Sequence, residues 1–157
     1  MIPVWKLRRE IGRFVTQIAA LPALIYEPFQ QKRQDAERES QTRLHEGAVP
    51  VGPKVCVFLV YQPGALPQSI LLTCKWLRDR GYATLLVANG GLAPEALEAV
   101  TECVWKVMER PNYGYDFGGY RQGLLHVAAI GLKPERLVIL NDSIWLPLEL
   151  VRWSFFD

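Results

Sequence analysis

Between residues 55 and 140 the chain alternates β-rich apolar runs with segments of helical periodicity, and this alternation restricts the fold more than any other feature. Residues 55–61 (VCVFLVY) are apolar without a break, the mark of a strand buried on both faces. In 69–80, Ile70, Leu71, Cys74 and Leu77 share one helical face, and Gly81 supplies a stop. Residues 84–88 (TLLVA) read as a second strand, followed by an Asn89-Gly90-Gly91 turn. Residues 94–100 (PEALEAV) read as a short helix with Pro94 in its first turn. Residues 103–108 (CVWKVM) read as a third, weaker strand, 117–130 as a helix ended by Gly131, and 137–140 (LVIL) as a fourth strand stopping at Asn141-Asp142-Ser143. The order β-α-β-α-β-α-β predicts an α/β fold: a mostly parallel sheet with helices on both faces and right-handed crossovers. Ligands of such sheets bind at the carboxyl ends of the strands. There the sequence places Tyr61-Gln62, Asn89-Gly90-Gly91, residues 110–120 and Asn141-Asp142-Ser143.

The first 50 residues follow another pattern. Val4, Leu7, Ile11, Phe14, Val15, Ile18 and Leu21 recur at helical spacing, with Lys6, Arg9 and Arg13 on the opposite face. This predicts an amphipathic helix ending near Pro22 or Pro28. Two readings stand: a helix packed on protein, or a basic helix lying on an anionic membrane surface. Residues 18–26 are too short to span a bilayer, which needs about 20 apolar residues. Pro22 and the lack of a small-residue cleavage site argue against a secretory signal. Residues 30–47 are almost wholly polar, with only Ala36 and Leu44 to bury, and read as a solvated helix or linker. Gly47, Pro50, Gly52 and Pro53 then punctuate the chain. The expected organisation is an N-terminal helix and linker over 1–50 and an α/β domain over 51–157.

Charge excludes some classes of function. The net charge of +2 is nearly balanced, and nucleic-acid binding usually needs a basic stripe. The three cysteines, Cys56, Cys74 and Cys103, are too scattered for a zinc site or a disulfide framework, and read as buried free thiols.

The segment RPNYGYDFGGY, residues 110–120, is the richest in chemistry. It begins with Arg110 and holds three glycines, three tyrosines, Asn112 and Asp116 between a strand and a helix. Glycines let backbone approach a ligand closely. Tyrosines offer flat faces and a hydroxyl. Asp116, near the predicted helix start, also suits an N-cap. The glycines do not make G-x-G-x-x-G, and no G-K-[ST] follows, so this is neither a Rossmann fingerprint nor a P-loop. Asp142, at the end of the last strand, is placed to hold a divalent cation against a diphosphate, since Mg²⁺ and Mn²⁺ commonly use one or two carboxylates plus substrate phosphates. An Asx-turn ending the strand explains the same residues structurally.

The phrases RPNYGYDFGGYRQGL and LVILNDSIWLPL resemble the rhamnan synthesis F family of polysaccharide glycosyltransferases, with its N-x-G-x-D-F-G-x-Y pattern followed by a helix, an apolar strand and N-D-S. The stretch VCVFLVYQPGALPQSILLTCKWLRDRGYATLLVAN is similar to that family's first β-α-β unit. The resemblance covers roughly residues 54–150 and implies a GT-A-like domain whose first half binds a nucleotide sugar. It implies Asp142 as the metal-facing carboxylate for Mg²⁺ or Mn²⁺, with Asn141 and Ser143 beside the diphosphate or sugar. It places Asn112, Gly114 and Asp116 along the sugar and ribose, Tyr61 and Asn89 at the base and ribose, and Arg110 among the donor-binding residues. It implies transfer of a deoxyhexose, from a donor such as dTDP-rhamnose, to a polysaccharide or lipid-linked acceptor in the cytoplasm at the inner face of the membrane.

N-D-S carries one carboxylate where the wider class has the two of D-x-D. Residues 144–157 offer no evident acceptor half, and no residue is assigned as catalytic base: His45 falls in the polar linker and His126 inside a helix. The expectation is an incomplete transferase domain that binds donor without turnover and leaves Trp145, Leu148, Trp153 and Phe155 on uncovered surface. Two other readings are a non-catalytic module that binds a nucleotide sugar or a partner, and a flavodoxin-like domain. The latter fits poorly, since residues 61–67 (YQPGALP) lack the hydroxyls of a phosphate loop.

Overall fold

A computed structural model describes residues 4–62 and 65–143. They form helix α1 (Val4–Gln41), strand β1 (Arg43–Glu46), β2 (Lys54–Val60), α2 (Gln68–Asp79), β3 (Tyr82–Asn89), α3 (Pro94–Thr101), β4 (Lys106–Arg110), α4 (Tyr115–Ala129) and β5 (Arg136–Asn141). The protein is α/β, as the alternation predicts. The five strands are ordered β1-β4-β3-β2-β5, and β4, β3, β2 and β5 are mutually parallel. Residues 144–157, including Trp145, Leu148, Trp153 and Phe155, lie outside the described residues.

The strand order follows from the placement of the helices. From β2 the chain steps outward to β3 and then β4 through α2 and α3. Ile70, Cys74 and Leu77 of α2 and Val100 of α3 pack with Cys56, Phe58, Val60, Leu86 and Val107 on one face of the sheet. From β4 the chain returns past β3 and β2 to reach β5. A right-handed return in the opposite direction requires a helix on the opposite face. There α4 sets Tyr120, Leu124 and Val127 against Val55, Val57, Leu59, Leu85 and Val87. Because β2 and β3 are covered on both sides, Val55–Val60 and Tyr82–Asn89 are buried throughout. Each large apolar side chain so buried contributes roughly 1.5–3 kcal/mol.

Glycines set how close α4 comes to the sheet. A Cβ on Gly119 would stand 2.3 Å from Leu59 Cδ1, and one on Gly123 would stand 2.7 Å from Val57 Cγ1. One helical turn apart, they make a flat stripe that lets the helix backbone rest on β2 and β3. Gly118 is equally constrained, since its Cβ would fall 2.1 Å from the Tyr113 carbonyl oxygen.

Four details differ from the sequence expectations. The first helix does not stop at Pro22 or Pro28 but runs to Gln41. Each interior proline costs a hydrogen bond and about 3 kcal/mol. The polar stretch 30–47, read as a solvated helix or linker, is helical up to Gln41 and then supplies an edge strand, with Arg43, Leu44, His45 and Glu46 paired antiparallel to Glu109, Met108, Val107 and Lys106. An edge strand facing water needs no apolar run, so its composition hid it. The compact unit containing the sheet accordingly starts at Ser40, and residues Met1–Glu39 form a unit of their own. Finally, Cys103 and Val104 are buried in a turn after α3 rather than in a strand, and β4 begins at Lys106.

The three cysteines are buried and unpaired, as expected. Burial pushes the Cys56 thiol far above its ordinary range, which keeps it inert. Among the described residues, no helix is long and apolar enough to cross a membrane.

Candidate functional site

The strand order reverses at β2: β3 and β4 lie to one side and β5 to the other. In open parallel sheets such a reversal opens a crevice at the carboxyl ends of the two strands on either side of it, here β2 and β5, and ligands bind there. Here the crevice is flanked by Tyr61-Gln62 after β2 and by Asn141-Asp142 at the end of β5. Asp142 joins them, its Oδ2 accepting the backbone N–H of Tyr61 at 3.0 Å and the amide of Gln62 at 3.1 Å.

The row continues across the sheet. The Tyr61 ring lies beside Gly90, 3.7 Å from where a Cβ would stand. Gly90 donates its N–H to the Arg110 carbonyl at 2.7 Å, which ties the turn after β3 to β4. Gly90 and Gly91 both have left-handed φ values, +95° and +81°, which only glycine adopts without strain. Beyond them an open groove of about 450 Å³ is lined by Ser40, Gln41, Arg43, Gly90, Gly91, Glu109, Arg110 and Pro111. The Glu109 carboxylate shapes one wall, bonding His45 Nε2 at 2.8 Å and the Leu92 N–H at 2.7 Å.

Two of the sequence-predicted residues are framework in this arrangement. Arg110 and Asn89 are buried. The Arg110 guanidinium donates to Asn89 Oδ1 and to the Tyr113 carbonyl, and its Nε to Gln122 Oε1 at 2.8 Å. Gln122 passes the network on to Thr42 Oγ1 at 2.7 Å. Arg110 thus fixes the loop before α4 from beneath. Gln122 and Thr42 were not singled out from sequence, whereas Gln62 was placed with Tyr61 at the end of the first strand. A buried glutamine on an amphipathic helix carries no distinguishing local pattern, and Thr42 sits in a stretch that read as linker.

The surface of the edge comes from the other residues. Gly114 is the N-cap of α4, at φ +69°, so the capping role is not taken by Asp116. Asp116 lies exposed in the first turn of α4, between the strongly exposed rings of Tyr115 and Phe117. Tyr115 holds a positive φ of 49°, unusual for a side-chain-bearing residue. Asn112 is half-buried and Ser143 exposed. Tyr120 relates the two acidic residues. Burial first, then the charges of Asp116 and Asp142, raise its phenol above the ordinary value. Asp116 and Asp142 therefore both act on one hydroxyl at the same end of the sheet.

Among the described residues, no group of three His, Cys, Asp or Glu side chains stands close enough to cage a metal ion.

No protein-family model matches the chain, and no solved structure matches it. An uncharacterized protein, y4gN of Sinorhizobium fredii, is 32% identical over 149 residues, which cover 95% of this chain and 39% of that protein. A virulence protein, VirA of Vibrio anguillarum, is 36% identical over 74 residues, which cover 45% of this chain and 24% of that protein. The chain thus matches well under half the length of either relative.

Proposed function

We propose that the edge formed by Tyr61, Gly90, Asp116 and Asp142 binds a nucleotide diphosphate sugar, and that the protein serves a glycosyltransferase of the rhamnan synthesis F type in cell-surface polysaccharide assembly. The observation that carries this is the placement of Asp142 against the Tyr61 N–H at the point where the strand order reverses. Tyr61 and the groove beside Gly90 receive the base and ribose. Asn141, Asp142 and Ser143 meet the diphosphate, and Asn112, Gly114 and Asp116 meet the sugar. Asn89 and Arg110 hold these loops in place from below.

The residues fit a divalent cation of the Mg²⁺ or Mn²⁺ kind shared between Asp142 and the diphosphate. Such a cation neutralises charge on the leaving diphosphate. The chain's own part is positioning: a fixed Asp142, a flat ring at Tyr61 and a loop locked by the buried guanidinium. The acceptor, a polysaccharide or lipid-linked saccharide, is met by other residues, and the reaction takes place in the cytoplasm at the inner face of the membrane. Backbone amide NMR with a nucleoside diphosphate tests the reading. Resonances of Tyr61, Gly90, Asn112 and Asp142 should shift together. Shifts confined to other parts of the sheet would refute it.

A further inference from the structure

Helix α1 presents an apolar stripe that its own unit leaves uncovered. Ile11, Phe14, Val15, Ile18 and Leu21 are each at least half exposed. At 100° per residue they fall within one arc of the helix, with Phe29 in line further along. Lys6, Arg9 and Arg13 occupy the opposite arc, and Glu10 is the one acidic residue among the first 26 positions. Trp5 stands near the N-terminal end, exposed, with Lys6 and Arg9 over its ring. An isolated helix draws most of its stability from burying such a face, so the face needs an occupant.

We propose that α1 is an anchor lying in the plane of an anionic lipid surface, its Phe14–Ile18 stripe in the acyl boundary and its arginines among the headgroups. Two features favour lipid over protein. Up to Tyr26 the helix combines large apolar and aromatic side chains on one face with Lys6, Arg9 and Arg13 on the other, the composition of in-plane membrane helices. The positive charge of the first 26 residues also disfavours parallel pairing of two copies, which would bring the arginine-rich ends together. The anchor would hold the sheet unit near membrane-bound acceptors, but it is independent of the donor cleft and stands or falls separately.

Flotation of the full 157-residue chain with vesicles tests it, using neutral phosphatidylcholine against a mixture containing about a third phosphatidylglycerol. Binding should be at least tenfold stronger to the anionic vesicles and should weaken at high salt. Each neutralised charge in Arg9→Gln and Arg13→Gln should weaken it about fivefold, since a basic residue near the surface is worth about 1 kcal/mol. Phe14→Glu with Ile18→Glu should abolish it. The glutamine variants leave the apolar stripe and helix intact, so a misfolded glutamate variant would not hide the answer. Equal affinity for both vesicle types, or no vesicle binding together with a discrete dimer that Ile18→Glu dissociates, would overturn the proposal.

Discussion

Asp142 at the end of β5 accepts the backbone N–H of Tyr61 at the end of β2, at 3.0 Å. The two residues are 81 positions apart, and their strands are neighbours only because α4 carries the chain back across the opposite face of the sheet. The bond fixes one carboxylate oxygen and turns the acidic side chain toward the crevice where the strand order reverses. Position in the topology, more than the identity of the tripeptide Asn141-Asp142-Ser143, brings this aspartate against Tyr61 and Gln62 at the strand ends.

The glycine stripe of α4 separates packing from backbone freedom. Gly119→Ala should destabilise the protein by about 1–3 kcal/mol, because the added methyl has no room beside Leu59. Gly12→Ala on α1 meets nothing within 4 Å and should raise helicity, by up to about 1 kcal/mol at a helix interior. Urea unfolding of the sheet unit should register the first change, and far-ultraviolet circular dichroism the second.

Arg110→Lys should behave as a severe substitution. A lysine cannot reproduce the fork that serves Asn89, Gln122 and the Tyr113 carbonyl together, and it leaves buried acceptors without donors. A loss of about 2–3 kcal/mol is expected, with weaker nucleotide binding because the 111–114 loop loses its support. Unchanged unfolding midpoints would show that the network is dispensable.

His126 predicts a pH dependence. Burial on α4, then the positive charge of Lys106, hold it below the ordinary 6.5, while Glu46 acts the other way. Its Nε2 is buried with no hydrogen-bond partner among the described residues. The unfolded chain therefore binds more protons than the folded one between 6.5 and the lowered value. Stability from the neutral ring is complete above 6.5 and is lost as pH falls through that window. Comparing His126→Phe with the parent chain by urea unfolding between pH 7.5 and 5 isolates this contribution, as a rough working range for histidine titration. The variant should show the shallower decline, and identical slopes would mean that His126 does not contribute.

Much of this was legible in residue order. The continuous apolar runs gave β2 and β3 because a doubly covered strand has no polar face to confuse the pattern. Gly81 and Gly131 marked helix ends through their left-handed backbone, which the structure shows at φ +78° and +72°. Strand β1 was not legible, since Arg43-Leu44-His45-Glu46 pairs at an edge with the distant residues Lys106 to Glu109. Nor was the division of labour in residues 110–120. Local sequence shows a loop rich in glycine and tyrosine, but only the tertiary network reveals that Arg110 and Gly118 support the loop while Tyr115, Asp116 and Phe117 face outward.

Titration calorimetry of a nucleoside diphosphate, with the parent chain and Asp142→Asn, tests the proposed donor site most directly. With Mg²⁺ or Mn²⁺ the parent chain should bind about tenfold or more tightly than in chelator, a difference of about 1.4 kcal/mol. Asp142→Asn keeps an oxygen able to accept the Tyr61 N–H but removes the charge, so its affinity should be equally weak with and without metal. Equal affinity of the parent chain in metal and chelator, or a metal effect that survives in Asp142→Asn, would contradict the assignment of Asp142.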